Sequence, residues 1–125
     1  MLRLLHIENI AVIERADILF ERGFNVMTGE TGAGKSIVID AISAILGERA
    51  YRDMIRTGTQ KAAVRAIFED VSESKWFADN DVPFAPETTI QREIYLDGKN
   101  VCKVNGVAVT VSVLKQLGIQ LINIH

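Results

Sequence analysis

Alternation with a period of two dominates this chain. Leu2 to Ile7 suits a first strand and Asn9 to Glu14 a connection. Arg15 to Phe20 then alternates, with Ala16, Ile18 and Phe20 on one face against Arg15, Asp17 and Glu21. Two strands so close together predict an antiparallel hairpin. Glu21-Arg22-Gly23 reads as a turn into a short buried strand, Phe24 to Thr28. Lys61 to Glu69 alternates again, Ala62, Val64, Ala66 and Phe68 against Ala63, Arg65, Ile67 and Glu69, which describes a strand with one wet face. Thr88 to Leu96 and Lys99 to Asn105 flank Asp97-Gly98, the strongest short-range hairpin signal in a sequence. Asn105-Gly106 makes a second tight turn into Val107 to Val109.

The period changes at Ser36. Ser36 to Leu46 is predicted as a helix ended by Gly47, apolar almost all round. Its polar residues Ser36, Asp40 and Ser43 form one narrow stripe, so sheet is expected on more than one face, with Asp40 and Ser43 solvating or capping. Residues 48–58 carry Arg49, Arg52 and Arg56 without a period and read as a loop with one helical turn. Ser72 to Glu87 holds both prolines and reads as a loop with a turn of helix near Trp76. Trp76 and Phe77 serve there as a packing anchor rather than a base-stacking platform. Thr110 is expected to cap a short helix, Val111 to Leu117, stopped by Gly118. Ile119 to Ile124 then reads as a closing strand, and a chain ending in that strand looks like the N-terminal piece of a longer protein.

With 125 residues, 48% apolar and 24% charged, the sequence describes one globular domain rather than a disordered tail. A formal net charge of −2 argues against nucleic-acid binding driven by overall charge, and leaves only a local basic patch. Arg49, Arg52, Arg56, Lys61 and Arg65 are the candidates for one, though a solvated face is the plainer reading. Cys102 is the only cysteine, so no internal disulfide forms and a reducing, cytoplasmic compartment is expected. Cys102 itself reads as a small strand residue, and His6 as a structural one. The opening residues lack the apolar core of a signal peptide, and no apolar run approaches the roughly 20 residues of a membrane span.

The chemistry lies in Gly29-Glu30-Thr31-Gly32-Ala33-Gly34-Lys35-Ser36, which fits G-x-x-x-x-G-K-[ST] at every specified position. Glycines let successive N–H groups turn toward one anion. Lys35 can reach the outer phosphates, and the Ser36 hydroxyl can ligate a Mg²⁺ that bridges them. A helix starting here adds its positive end. Hydrolysis needs a second acidic residue at the end of an apolar strand. Ala66-Ile67-Phe68-Glu69-Asp70 is the nearest candidate and a weak one.

Leu4 to Ile13, Gly29 to Ala41, Val101 to Gly106 and Gln120 to His125 together resemble the SMC-like ATPases of the ABC superfamily, in particular their bacterial DNA-repair branch. Glu30-Thr31 is more specific than the generic loop. The resemblance covers essentially the whole chain and implies an α/β fold, a P-loop ABC-type ATPase head lobe. It places mixed and antiparallel strand-rich sheets around the P-loop helix, with residues 1–125 as the N-terminal lobe. It implies ATP and Mg²⁺ at Gly29 to Ser36 and a head-to-head homodimer closed by ATP. It also implies association with the C-terminal half of the same head, and action on DNA through the full protein. The catalytic and signature residues of such heads lie in the part that follows, so none is expected here. Arg56 falls where such heads carry an arginine loop near nucleotide and DNA; otherwise it is a solvated loop arginine. In the wider family a basic residue after the first strand helps hold adenine, whereas Asn9-Ile10-Ala11-Val12 carries no charge. Two readings from other classes stay open: a complete small P-loop kinase, and a DNA-binding or assembly module that keeps nucleotide as a structural element.

Overall fold

A computed structural model of the chain describes residues 1–20 and 32–122. Its strands are β1 (Leu2–Ile10), β2 (Ile13–Leu19), β3 (Lys61–Phe68), β4 (Thr88–Tyr95), β5 (Asn100–Val104) and β6 (Val107–Val109). They form one sheet in the order β2-β1-β3-β4-β5-β6, and every neighbouring pair is antiparallel. The period-two pattern sorts the two faces. Leu5, Ile7, Ala62, Val64, Ala66, Phe68, Ile90, Ile94, Cys102 and Val104 are buried on the inner face. His6, Glu8, Arg65, Gln91, Glu93 and Lys103 lie on the outer one, where both sides of each hairpin remain wet. The expected α/β lobe with an antiparallel-rich sheet is therefore the fold observed.

β1 runs three residues beyond its expected end at Ile7. Asn9 (φ +56°) and Ala11 (φ +51°) take left-handed backbone. The strand thus kinks at Asn9 without leaving the sheet, and Ile10 still pairs with Ile13. The connection expected over Asn9 to Glu14 shrinks to Ala11-Val12.

Two helices pack against the inner face, α1 (Gly32–Ile45) on β1, β3 and β4, and α3 (Val111–Ile122) on β5. In α1 the buried residues Ile37, Val38, Ala41, Ala44 and Ile45 make one stripe at helical spacing. Among the described residues, sheet lies on that side only and Ile39 is 57% exposed, which corrects the expectation of sheet on more than one face. Gly47 ends α1 as the sequence predicts, with φ +87°. The Glu48 N–H donates to the Ser43 carbonyl (3.0 Å) and the Gly47 N–H to that of Ala44 (3.1 Å), the paired bonds of a Schellman motif.

α3 departs further from expectation. Thr110 does cap it, its Oγ1 accepting from the Val113 N–H at 3.2 Å. The helix then continues through Gly118 to Ile122, so the strand expected from Ile119 is helix as far as the described residues reach. A Cβ on Gly118 would stand 2.1 Å from the Leu46 carbonyl oxygen, and one on Gly47 would stand 2.5 Å from the Lys115 Cα. Gly118 is there to let α3 cross the end of α1 at backbone contact, not to stop the helix. The anchor role of the short helix α2 (Lys75–Asp79) is as expected. The Trp76 indole donates to the Val113 carbonyl (2.9 Å), and Phe77 meets Trp76 and Phe84 edge-on, each pair 5.1 Å between ring centres.

On the outer face His6 joins two strands. Its Nδ1 lies 2.5 Å from Asp17 Oδ1 and its Nε2 lies 2.7 Å from Glu8 Oε2. Burial of the ring opposes its charged form, but the bonds and charges of Asp17 and Glu8 outweigh that and raise the pKa above 6.5. A group raised on folding contributes stability in full below its unfolded pKa and loses it as pH climbs through the folded one. His6→Gln should therefore lower the melting temperature more at about pH 5.5 than at about pH 9; an equal loss at both would remove the charged clasp. For Gly118→Ala, helix propensity alone favours alanine by about 1 kcal/mol. The clash with backbone reverses the sign, and we expect a net loss of roughly 2 kcal/mol by urea unfolding. A gain in stability would mean that α3 does not lie on Leu46.

Candidate functional site

Of the phosphate-loop residues, Gly29, Glu30 and Thr31 and the expected strand from Phe24 to Thr28 lie outside the described residues. Gly32 and Ala33 open α1, and Gly34, Lys35 and Ser36 follow directly. Lys35 and Ser36 are exposed. No acidic residue occurs in that first turn, so nothing in it opposes the positive end of the helix or the ammonium of Lys35. An anion placed against that turn meets the positive end of the helix and the Lys35 ammonium.

A cleft of about 340 Å³ runs along α1 from Ile37, the residue after Ser36, past Asp40 to Ser43. Its other walls are Ile10 and Ala11 at the end of β1, and Arg49, Tyr51, Asp53 and Met54 in and around a 3-10 turn (Arg52–Met54). The Arg49 guanidinium stands over the Tyr51 ring at 5.3 Å. The floor is apolar and the rim polar, at a volume within the usual range for a small-molecule site. A second cavity, about 250 Å³, lies on the outer sheet face. There His6 and Glu8 bind each other (2.7 Å), Glu93 on the same face is taken by Lys61 (2.7 Å), and Arg65 and Lys103 complete the charged lining.

The cleft's two walls meet at one buried charge. Arg92 points inward from β4 and is 2% exposed, the one charged side chain buried among the described residues. Its Nη1 donates to the carbonyls of Ala44 (2.8 Å) and Glu48 (2.6 Å), and its Nε to Asn100 Oδ1 (3.1 Å). Burial lowers the pKa of the guanidinium and pushes up that of the neighbouring Cys102 thiol. Cys102 is thus a packed strand residue, as its sequence context implies.

Arg56 does not line the cleft. Its Nη1 donates to the Val12 carbonyl (3.2 Å) and its backbone N–H to that of Asn9 (2.8 Å), which holds it against the β1–β2 turn. Nor does the fold gather a basic patch. Arg49 stacks on Tyr51, Arg52 donates to the Leu96 carbonyl (3.3 Å), Lys61 pairs with Glu93, and Arg65 lies on the outer sheet face. Glu69, in the weak acidic candidate, faces Arg3 at 3.8 Å. Sequence reasoning missed Arg92 and Tyr51, and named Arg49 only as a member of a basic patch. For Arg92 a signal existed, since Ile90-Gln91-Arg92-Glu93-Ile94 puts an arginine in register with two inward isoleucines.

The AAA_23 family model, an AAA domain, matches residues 4–117. The chain belongs to this family. Membership implies nucleotide binding. Over its whole length the chain is 42% identical to the DNA repair protein RecN of Bacillus subtilis (strain 168) and 41% identical to that of Vibrio cholerae serotype O1. It spans 22% and 23% of those proteins, about a fifth of their length. Among solved structures it superposes on an SMC ATPase studied for ATP-driven dimerization and DNA-stimulated activation. The TM-score is 0.75 at 25% identity, over 92% of this chain and 75% of that one. The SMC-like resemblance drawn from Leu4–Ile13 and Gly29–Ala41 therefore extends through sequence and fold alike. No helix among the described residues is long and apolar enough to cross a membrane.

Proposed function

We propose that this chain is the nucleotide-binding part of a RecN-like ATPase that acts in DNA double-strand-break repair and recombination. The observation that carries the proposal is the exposed Lys35-Ser36 pair on an acid-free first turn of α1, with an apolar cleft beginning one residue later. In this reading ATP spans the loop and the cleft. Its phosphates take the main-chain amides of Gly29 to Ser36 and the Lys35 ammonium, and its nucleoside runs along α1 toward Tyr51. Mg²⁺ is held by the Ser36 hydroxyl and the phosphates, since it needs few protein ligands when phosphate oxygens supply the rest. The partners we infer are a second copy of the same head, joined face to face through ATP, the remaining half of the head, and DNA. Residues 1–125 form the N-terminal lobe in this account, working in the cytoplasm on the nucleoid.

Two experiments test this. ATP with Mg²⁺ at 100-fold excess over its dissociation constant should stabilise the protein by about 2.7 kcal/mol, read as a rise in melting temperature. Lys35→Ala should abolish the rise, and equal shifts in both proteins would remove Lys35 from the site. In the full-length protein, Arg56→Ala should weaken DNA-stimulated ATP hydrolysis while leaving the circular dichroism spectrum unchanged. Unaltered stimulation would return Arg56 to the role of a loop tie to Val12.

A further inference from the structure

We infer that Arg92 is a positioning residue for the nucleoside end of the site, an inference that rests on the nucleotide reading above. One nitrogen of its guanidinium bonds the last turn of α1 at Ala44 and the first residue past the Schellman turn at Glu48. Those two carbonyls head the two walls of the cleft: α1 carries Ile37, Asp40 and Ser43, and the segment leaving Glu48 carries Arg49, Tyr51, Asp53 and Met54. The width of the cleft is therefore fixed where the walls diverge, by a group that does not touch the ligand. The guanidinium is itself held by Asn100 across the β4–β5 hairpin, which sets its angle. A lysine at this position keeps the charge, but its three donors share one nitrogen, so it can meet the two carbonyls yet has no donor where Nε faces Asn100, and the angle is no longer set.

The two ends of the site can be read separately. Inorganic tripolyphosphate with Mg²⁺ probes the phosphate loop alone, and ATP with Mg²⁺ probes loop and cleft together. In the full-length protein, below the melting temperature of every variant, Arg92→Lys should bind tripolyphosphate as the unsubstituted protein does and ATP about tenfold more weakly. Asn100→Ala, which leaves the guanidinium in place without its Nε partner, should weaken ATP binding in the same direction by a smaller factor, and it decides the matter if Arg92→Lys does not fold. Unchanged ATP affinity in folded variants would overturn the inference. So would an equal loss for both ligands, which a general loosening of α1 produces. If the unsubstituted protein bound neither ligand, the nucleotide reading would fail and this inference with it.

Discussion

Arg92 sets a full positive charge under the last turn of α1, with no carboxylate among the described residues to answer it. What answers it is the negative end of the helix and three oxygen acceptors. Taking an ion of this kind out of water costs several kcal/mol even after relaxation. Each hydrogen bond to a charged group returns about 1.5–3 kcal/mol, and a cation at a helix C-terminus adds up to about 2 kcal/mol when partly buried. An aliphatic side chain would also pack here, so the arginine's distinct contribution is to the Ala44 and Glu48 carbonyls. A greasy residue would leave the Ala44 and Glu48 carbonyls to find other partners, and the exit of the chain from α1 would no longer be fixed. The arginine specifies where the helix stops and in which direction the next segment leaves.

Other contacts converge on the same place. The Schellman bonds close the helix from within, and α3 crosses it from outside at Gly47 and Gly118, where the two backbones touch without side chains between them. The C-terminal end of α1 is thus fixed by a strand, a helix and its own turn. The opposite end bears exposed side chains and the charge of Lys35. Such a helix is held at one end and left chemically available at the other.

The sheet was largely legible from the sequence because its inner face is apolar and its outer face is not. Ala62, Val64, Ala66 and Phe68 give β3 away, and Asp97-Gly98 fixes the β4–β5 hairpin. The errors fall where one residue type serves two purposes. Gly118 carries the same letter as the stop signal Gly47, but its reason is a tertiary crossing that no local pattern records. Asn9 reads as a turn residue and indeed adopts a turn conformation, yet the flanking strand pairs continue past it. The phosphate-loop motif is written locally, in its glycines, one lysine and one hydroxyl, and its first three residues lie outside the described residues. The cleft is not written so, because Ile10, Ile37 and Met54 look like ordinary core residues until the fold leaves them on facing walls. Arg56 drew notice as a loop arginine and proves tied to the β1–β2 turn, while Arg49, two residues before Tyr51, faces the cleft.

The cleft also bears on why such a lobe should act in company. Its rim residues Asp40 and Tyr51 are exposed, Tyr51 by 56%, so a nucleoside lying there keeps one side toward water. Binding sites for ligands of this size ordinarily bury 70–90% of the ligand surface, and phosphoryl transfer further requires that charge develop away from bulk solvent. The described residues supply the exposed ammonium of Lys35, the positive end of α1 and an apolar floor. A second surface laid over the open side would raise the buried fraction and strengthen every charge contact by lowering the local dielectric. The homodimer proposed above would supply such a surface if each head covered the exposed side of the other. Nucleotide affinity and association are then two readings of a single coupling free energy, and each must strengthen the other by the same factor.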